Sequence, residues 1–247
     1  MIKFEIVSIE STASTNAMMQ QMYLDGKCFN GLVLKTDYQT HGKGLQSNTW
    51  FISPSTNLLF SIGLETRFIE PSRQFLLTKM ISIALLRGLQ KLLLLNEGLS
   101  IKWPNDLYYK NQKLAGVLVN NMIKGNSLDY SIIGVGLNVN ETYFPAHLPN
   151  PVSMVQIGNQ IYERDKVLDV ILLQLSQSIE MLQSDATSLD EPYLKHLLYY
   201  QQWHEYQFEG NDVTGKIEGV NKYGYLQVLT DGGELLSCDL KDLVFKH

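Results

Sequence analysis

Two cysteines in 247 residues, Cys28 and Cys238, stand far apart and in no metal-ligand spacing. That excludes a disulfide framework and a cysteine-built zinc site, and it fits a reduced, cytoplasmic protein. Charge is sparse as well. Only 18% of residues are charged and the formal net charge is -5, so the chain lacks the basic face that broad nucleic-acid binding needs. A membrane-spanning run is also missing. The most apolar stretch, Ile81 to Leu95, is broken by Arg87 and Lys91; it is too short and too charged to cross a bilayer and reads as a buried helix. The start, MIKFEIVSIE, puts acidic residues where a signal peptide needs an apolar core. Neither G-x-x-x-x-G-K-[ST] nor a helix-opening G-x-G-x-x-G occurs, which removes the P-loop and dinucleotide-fold readings. Repeats, low-complexity tracts and lipidation signals are absent too. No nucleic acid and no membrane are therefore expected as partners.

What is present is enough apolar material, 45% of residues, for one large domain, or one large and one small. Lys3 to Ile9 alternates like a strand. A polar run, Ser11 to Asn16, precedes the helix-favouring Ala17 to Met22. One helix cap needs one such residue, so the surplus hydroxyls and amide are either extra capping or ligand contacts at a helix N-terminus. Gly31 to Tyr38 and Asn57 to Leu64 read as strands. Between them lies QTHGKGLQSNT, residues 39–49, a polar loop with Gly42 and Gly44 on either side of Lys43. Those glycines allow close backbone approach to a ligand, or they mark a flexible surface loop. Pro71 is expected to open a helix running to about Leu95. Asp165 to about Gln183 and Pro192 to about His204 read as further helices, with Asp165 and Asp190 as caps.

The richest stretch is Lys102 to Gly116, KWPNDLYYKNQKLAG. Pro104 disfavours a helical Trp103, so Ile101-Lys102-Trp103 ends a strand and Asn105 and Asp106 sit at a turn. Tyr108-Tyr109 and Leu114 to Val119 form strands around Lys110-Asn111-Gln112. Lys113 either aims its ammonium into a site or keeps its head in water at a strand edge. Lys113 to Ile123 and Leu128 to Asn138 are two long strands. The second ends in Gly134-Val135-Gly136-Leu137-Asn138, where glycines mark close approach of a ligand or a packing crossing. From Tyr206 the pattern changes to four or five short strands with Asn221–Gly224 and Asp231–Gly233 turns, a small barrel.

In combination and order, these pieces resemble the biotin–protein ligases. The resemblance rests on Ser14-Thr15-Asn16, Gln39 with Gly42-Lys43-Gly44 and Trp50, Asn57-Leu58, Lys102 to Asp106, Lys113 to Leu118 and Gly134 to Asn138. The tail from Gly215 to Val220 with Gly224-Tyr225-Leu226 is similar to that family's SH3-like barrel. The resemblance implies an α+β fold: a mixed sheet flanked by helices, related to class II aminoacyl-tRNA synthetases. Its catalytic domain would be residues 1–203, with the barrel at 204–247. A first strand at about residue 3 implies the short form lacking the N-terminal DNA-binding domain, so transcriptional repression is not expected.

The family's reaction joins biotin and ATP into biotinyl-5′-AMP and passes biotin to a lysine of a biotin carboxyl carrier protein. The resemblance therefore implies biotin, ATP and Mg²⁺ as ligands, and the carrier of acetyl-CoA carboxylase or a related carboxylase as partner. A second copy of the chain is a further candidate partner. Lys113 and Lys43 would be the catalytic cations, while Lys102 is structural. Ser14, Thr15, Asn16, Gln39, Gly42, Lys113, Gly116 and Gly134 would hold biotin. Lys43, Gly44, Trp50, Asn105 and Asn138 would hold the nucleotide. The metal ligands are unassigned, with Asp106 as a candidate, and the 39–49 loop would close over the adenylate. Where the family commonly has Gly-Arg-Gly-Arg-Arg-Gly, this chain has Gly42-Lys43-Gly44-Leu45-Gln46-Ser47, which loses charge and the bidentate arginine fork. Two rival readings follow: a lipoate or octanoate ligase or transferase of similar architecture, and a non-catalytic module that binds biotin or the carrier.

Overall fold

A computed structural model describes residues 2–45, 50–51 and 53–246. Seven strands form the first sheet: β1 (Glu5–Thr12), β2 (Leu32–Gln39), β3 (Leu58–Glu65), β4 (Leu99–Lys102), β5 (Asp106–Tyr109), β6 (Gln112–Lys124) and β7 (Ser127–Leu137), in the spatial order β1-β2-β3-β7-β6-β5-β4. β1 and β2 run parallel and the other pairs antiparallel, so the sheet is mixed as expected.

Alternation along the strands divides the core. Leu58, Phe60, Ile62 and Leu64 of β3 face the long helices α2 (Phe75–Leu93) and α4 (Arg164–Ser184) in the main core. Ser61 belongs to the opposite set. On that side Met19 of α1 (Thr15–Leu24) packs with Leu32, Leu34, Tyr130 and Ile132. Side chains such as Phe60 and Met19, buried completely, each contribute about 1.5–3 kcal/mol of transfer free energy. The apolar run Ile81 to Leu95 is indeed helical until Leu93, and it turns out of the core at Leu94, left-handed and exposed.

Several local expectations need correction. Pro71 opens a 3-10 turn, Pro71–Arg73, and α2 begins only at Phe75. The helix expected from Pro192 to His204 is the short α5 (Asp190–Lys195). Beyond it the chain is drawn onto the sheet: Ile101 N–H donates to the His196 carbonyl (2.7 Å) and Leu198 N–H to the Ile101 carbonyl (2.8 Å). Backbone pairing at the exposed side of β4 outweighs helix propensity there. Neither aspartate caps a helix. Asp190 pairs with buried Lys79 at 2.7 Å, and Asp165 sits inside the first turn of α4 in an ion pair with Lys35. The proline-containing segment 143–158 carries a helix, α3 (Met154–Gly158), started by a Ser153/Gln156 capping box. Asp106 lies in β5 rather than in the turn.

Five short strands form the second sheet: β8 (Trp203–Phe208), β9 (Asn211–Val220), β10 (Leu226–Thr230), β11 (Leu235–Cys238) and β12 (Leu243–Phe245). Their order is β11-β10-β9-β8-β12, all antiparallel, consistent with an SH3-like unit. It docks on the hairpin of the first sheet. Trp103 Nε1–H donates to the Gly224 carbonyl at 2.9 Å, and Phe75 fills the space a side chain at Gly224 would need. Gly224 also has φ +95, a conformation that favours glycine. Lys102 lies over the Tyr108 and Phe245 rings, at 5.1 and 5.2 Å, bridging the two sheets. Burial lowers its pKa from the ordinary lysine value, Asp106 offsets part of this, and Lys113 adds to the lowering. This position agrees with a structural role.

Candidate active site

On the α1 side of the sheet, three glycines form a floor. Gly134 of β7 pairs in register with Ser61 on β3 and Leu118 on β6. Two residues further on, Gly136 pairs with Gly116 on β6, and Gly116 pairs with Asp106 on β5. A Cβ at residue 134 would lie 2.5 Å from Asn16 Oδ1, and one at residue 136 would lie 2.6 Å from the Trp50 ring. One at residue 116 would lie 2.9 Å from that same ring. So the glycines admit two side chains: Asn16 lies across one row and Trp50 across the next. Both are brought to the floor from outside the strands, Asn16 by the start of α1 and Trp50 by the loop after β2.

The first turn of α1 is tied down with few donors to spare. Ser14 is the cap, its Oγ accepting from Ala17 N–H at 3.5 Å. Thr15 N–H donates to Gln39 Oε1 at 2.7 Å, and the Thr15 hydroxyl lies 3.1 Å from the same oxygen. Asn16 Nδ2 donates to the Leu118 carbonyl at 3.1 Å. Ser61, fully buried, lies 2.6 Å from Asn16 Oδ1 and 2.7 Å from Thr15 Oγ1.

The hairpin supplies the charge. Lys113 Nζ pairs with Asp106 at 2.6 Å and stands 5.4 Å above the Trp50 ring. Both members are partly exposed, with side-chain exposures of 30% and 20%, so the ammonium can exchange partners with an incoming anion. Asn105 holds the hairpin to β6: its amide donates to the Val117 carbonyl, and its own carbonyl accepts from Val117 N–H at 3.0 Å.

Two cavities meet at Trp50 and Lys113. The first, about 230 Å³, is lined by Ser14, Thr15, Asn16 and Gln39 from the α1 side, by Asn105, Asp106, Lys113 and Gly116 from the hairpin, and by Gly134. Lys43, Gly44 and Trp50 complete that set from the loop. The second, about 330 Å³, is lined by Phe51, Phe144, Leu148, Pro149 and Pro151, with Asn138, Trp50 and Lys113. Among the described residues no three His, Cys, Asp or Glu side chains cluster as metal ligands.

A family model, the biotin/lipoate A/B protein ligase family, matches residues 8–138. The chain belongs to that family. Among curated relatives in the ligase family, the human biotin–protein ligase is 28% identical over 94% of this chain. The Mycobacterium tuberculosis biotin–[acetyl-CoA-carboxylase] ligase is 25% identical over 96% of it. The chain spans 33% of the human protein's length and 87% of the mycobacterial one. In fold it is similar to the Aquifex aeolicus biotin protein ligase solved with biotin and ATP, with a TM-score of 0.81, 23% identity and 98% of each chain covered.

Within this ligase family member, two of the expected site residues stand apart from the first cavity. Gly42 is buried within the loop, its carbonyl accepting from Trp50 N–H at 3.0 Å. Asn138 donates to the Val152 carbonyl at 3.0 Å and borders the second cavity. The expected closure of the 39–49 loop involves residues 46–49, which lie outside the described residues. Sequence reasoning missed Ser61, the apolar wall of the second cavity, and Leu240. The last reaches the first cavity from the β11–β12 turn of the second sheet. For Ser61 a signal existed: it is the lone hydroxyl in the apolar strand NLLFSIGL. Nothing in the sequence flagged Leu240.

The floor predicts a steric result. Gly134→Ala forces Asn16 off both of its partners and is expected to destabilise the fold by about 1–3 kcal/mol, the usual cost of overpacking. Gly219→Ala, where an added Cβ meets nothing within 4 Å, is the control and is expected to leave the thermal midpoint nearly unchanged.

Proposed function

We propose that the protein is an ATP-dependent biotin–protein ligase acting on a lysine of a biotin carboxyl carrier domain. The observation that carries this is the meeting of the two cavities at Lys113 and Trp50. One cavity ends in neutral hydrogen-bonding groups, Ser14, Thr15, Asn16 and Gln39, which suit an uncharged ureido ring. The other has an aromatic and proline wall, Phe51, Phe144, Pro149 and Pro151, which suits the faces of an adenine. The cation stands between them, where the carboxylate of one ligand meets the phosphate of the other.

In the first step a carboxylate oxygen of biotin attacks the α-phosphorus of ATP, the bond to the bridging oxygen breaks, and pyrophosphate leaves. Two anions approach, and the Lys113 ammonium offsets their repulsion and the charge that grows on the phosphoryl oxygens. To do so it releases Asp106. Lys43 adds a second cation at the cavity wall. Mg²⁺ would arrive with the ATP phosphates and take one or two carboxylates at most, and Asp106 is the carboxylate at hand in the cavity lining. In the second step the carrier's lysine amine attacks the acyl carbonyl, the carbonyl–oxygen bond breaks, and AMP leaves as the amine loses its proton to solvent.

The carrier needs a docking edge near the cavity. β5 pairs with β6 only as far as Gly116, so among the described residues β6 from Val117 to Lys124 has a strand partner on one side alone, β7. That open edge suits the carrier, and a second copy of this chain would compete for it. Both thiols are free, which suits a cytoplasmic protein.

The lipoyl or octanoyl transferase reading needs a nucleophilic cysteine at the site. Cys28 donates to the Met19 carbonyl under α1, and burial pushes the Cys238 thiol up to about 12 in the second sheet. Neither lines the cavities. The test is labelling: with biotin, ATP and Mg²⁺, the protein is expected to add one biotinyl group to the acceptor lysine of a carrier domain, read by mass. Biotin binding without any labelling would mean a non-catalytic module instead.

A further inference from the structure

Ser61 does not line the cavity, yet the hydrogen-bond pattern at its inner end runs through it. The Leu118 carbonyl can only accept, so Asn16 must present Nδ2 to it and turn Oδ1 towards Ser61. Oδ1 can only accept, so the one Ser61 proton goes there. Ser61 Oγ is then an acceptor towards Thr15, and the Thr15 hydroxyl, 2.7 Å away, donates to it in preference to Gln39 at 3.1 Å. Gln39 Oε1 stays on the Thr15 backbone N–H at 2.7 Å, which leaves the Gln39 amide nitrogen as a donor for the cavity. A main-chain group fixes the direction at each end, and every proton between is committed.

We propose that Ser61 is the positioning residue that joins the two ends of this pattern, so that Asn16 and Thr15 are held in one arrangement beside Gln39, whose amide meets the ligand as a donor. It acts through Asn16 and Thr15, and the inference rests on the biotin reading above. A ureido carbonyl is the acceptor such a donor fits. An acid without a ureido group, such as lipoate, has nothing to lose from a change in that pattern. The geometry agrees with a dedicated arrangement: Ser61, Gly134 and Leu118 are neighbours in one row of the sheet, and Asn16 spans the row above the glycine.

The test is Ser61→Ala, read by biotin-dependent ATP–pyrophosphate exchange beside Ser131→Ala. Ser131 is an equally buried hydroxyl of the same sheet, bonded to Thr66 and Asn121 outside the site. Ser61→Ala is expected to raise the KM for biotin about tenfold, the scale of a buried acceptor losing its donor, with the KM for ATP unchanged. Both variants are expected to lower the thermal midpoint by a similar amount, and Ser131→Ala is expected to leave the biotin KM unchanged. Should Ser61→Ala fail to fold, Ser61→Cys keeps the size with a weaker donor, and at least a threefold rise in biotin KM is expected there. A biotin KM within twofold of wild type, or equal rises for biotin and ATP, would overturn the proposal. No exchange with biotin in the wild-type protein would instead overturn the activity reading.

Discussion

Lys113→Ala lowers the rate of biotin-dependent adenylate formation by about 10²–10³-fold while the protein stays folded. The rate figure is that for removing one preorganised contact to charge that grows in a transition state. The two observables separate because the Lys113–Asp106 pair is partly exposed at both ends. A pair of that kind contributes about 0–1 kcal/mol to stability once solvent screening is counted. The lysine backbone adds its own tie, with Lys113 N–H donating to the Asn150 carbonyl at 2.7 Å, and the alanine variant keeps it. Single-turnover formation of the adenylate, followed beside a thermal melt, measures both. Equal turnover in the variant would remove Lys113 from the chemistry. A large loss of stability would mean that the pair is mainly structural.

Trp103→Ala acts in the opposite way. It destabilises the fold by about 3–5 kcal/mol, the usual range for emptying a buried tryptophan site. Trp103 is 5% exposed and joins the main core, and its indole N–H is a direct tie to the second sheet. For a chain of this length each kcal/mol moves the midpoint by about 2–4 °C, so a drop of roughly 6–20 °C is expected. Trp103→Phe keeps most of the ring and loses only the hydrogen bond, about 1 kcal/mol, so it should recover most of the lost stability. If Trp103→Ala melts within two or so degrees of wild type, the hairpin is not the dock for the second sheet. Because Leu240 reaches the first cavity from that sheet, the alanine variant is also expected to lose part of its adenylate-forming activity.

These two residues mark what the sequence could say. Lys113, Trp103, Asp106 and the glycines stand in a compact run or at short spacing, where turn chemistry and backbone permissiveness are local effects. Ser14 to Asn16 and Gln39 could be picked out because polar residues were in surplus over what a cap needs. The rest depended on contacts across the fold. Ser61 gains its role from register, since only the pairing of β3 with β7 puts it beside Gly134 and under Asn16. The wall made by Phe144 and Pro151 is assembled by a loop that carries no periodicity. The helix expected to reach His204 ended at Lys195 because residues 196–198 pair with Ile101, a tertiary contact that propensity cannot see. At Gly134 and Gly136, where the sequence left a ligand or a packing crossing open, the side chains of Asn16 and Trp50 make the close approach.

Activation of biotin by this site is tested most directly by ATP–pyrophosphate exchange measured in parallel with biotin and with lipoate. Reversible adenylate formation returns labelled pyrophosphate into ATP only when the acid fits. The geometry predicts exchange with biotin and little with lipoate, because Ser14, Thr15, Asn16 and Gln39 have no polar ring to meet in the latter. Exchange with lipoate and none with biotin would contradict the account.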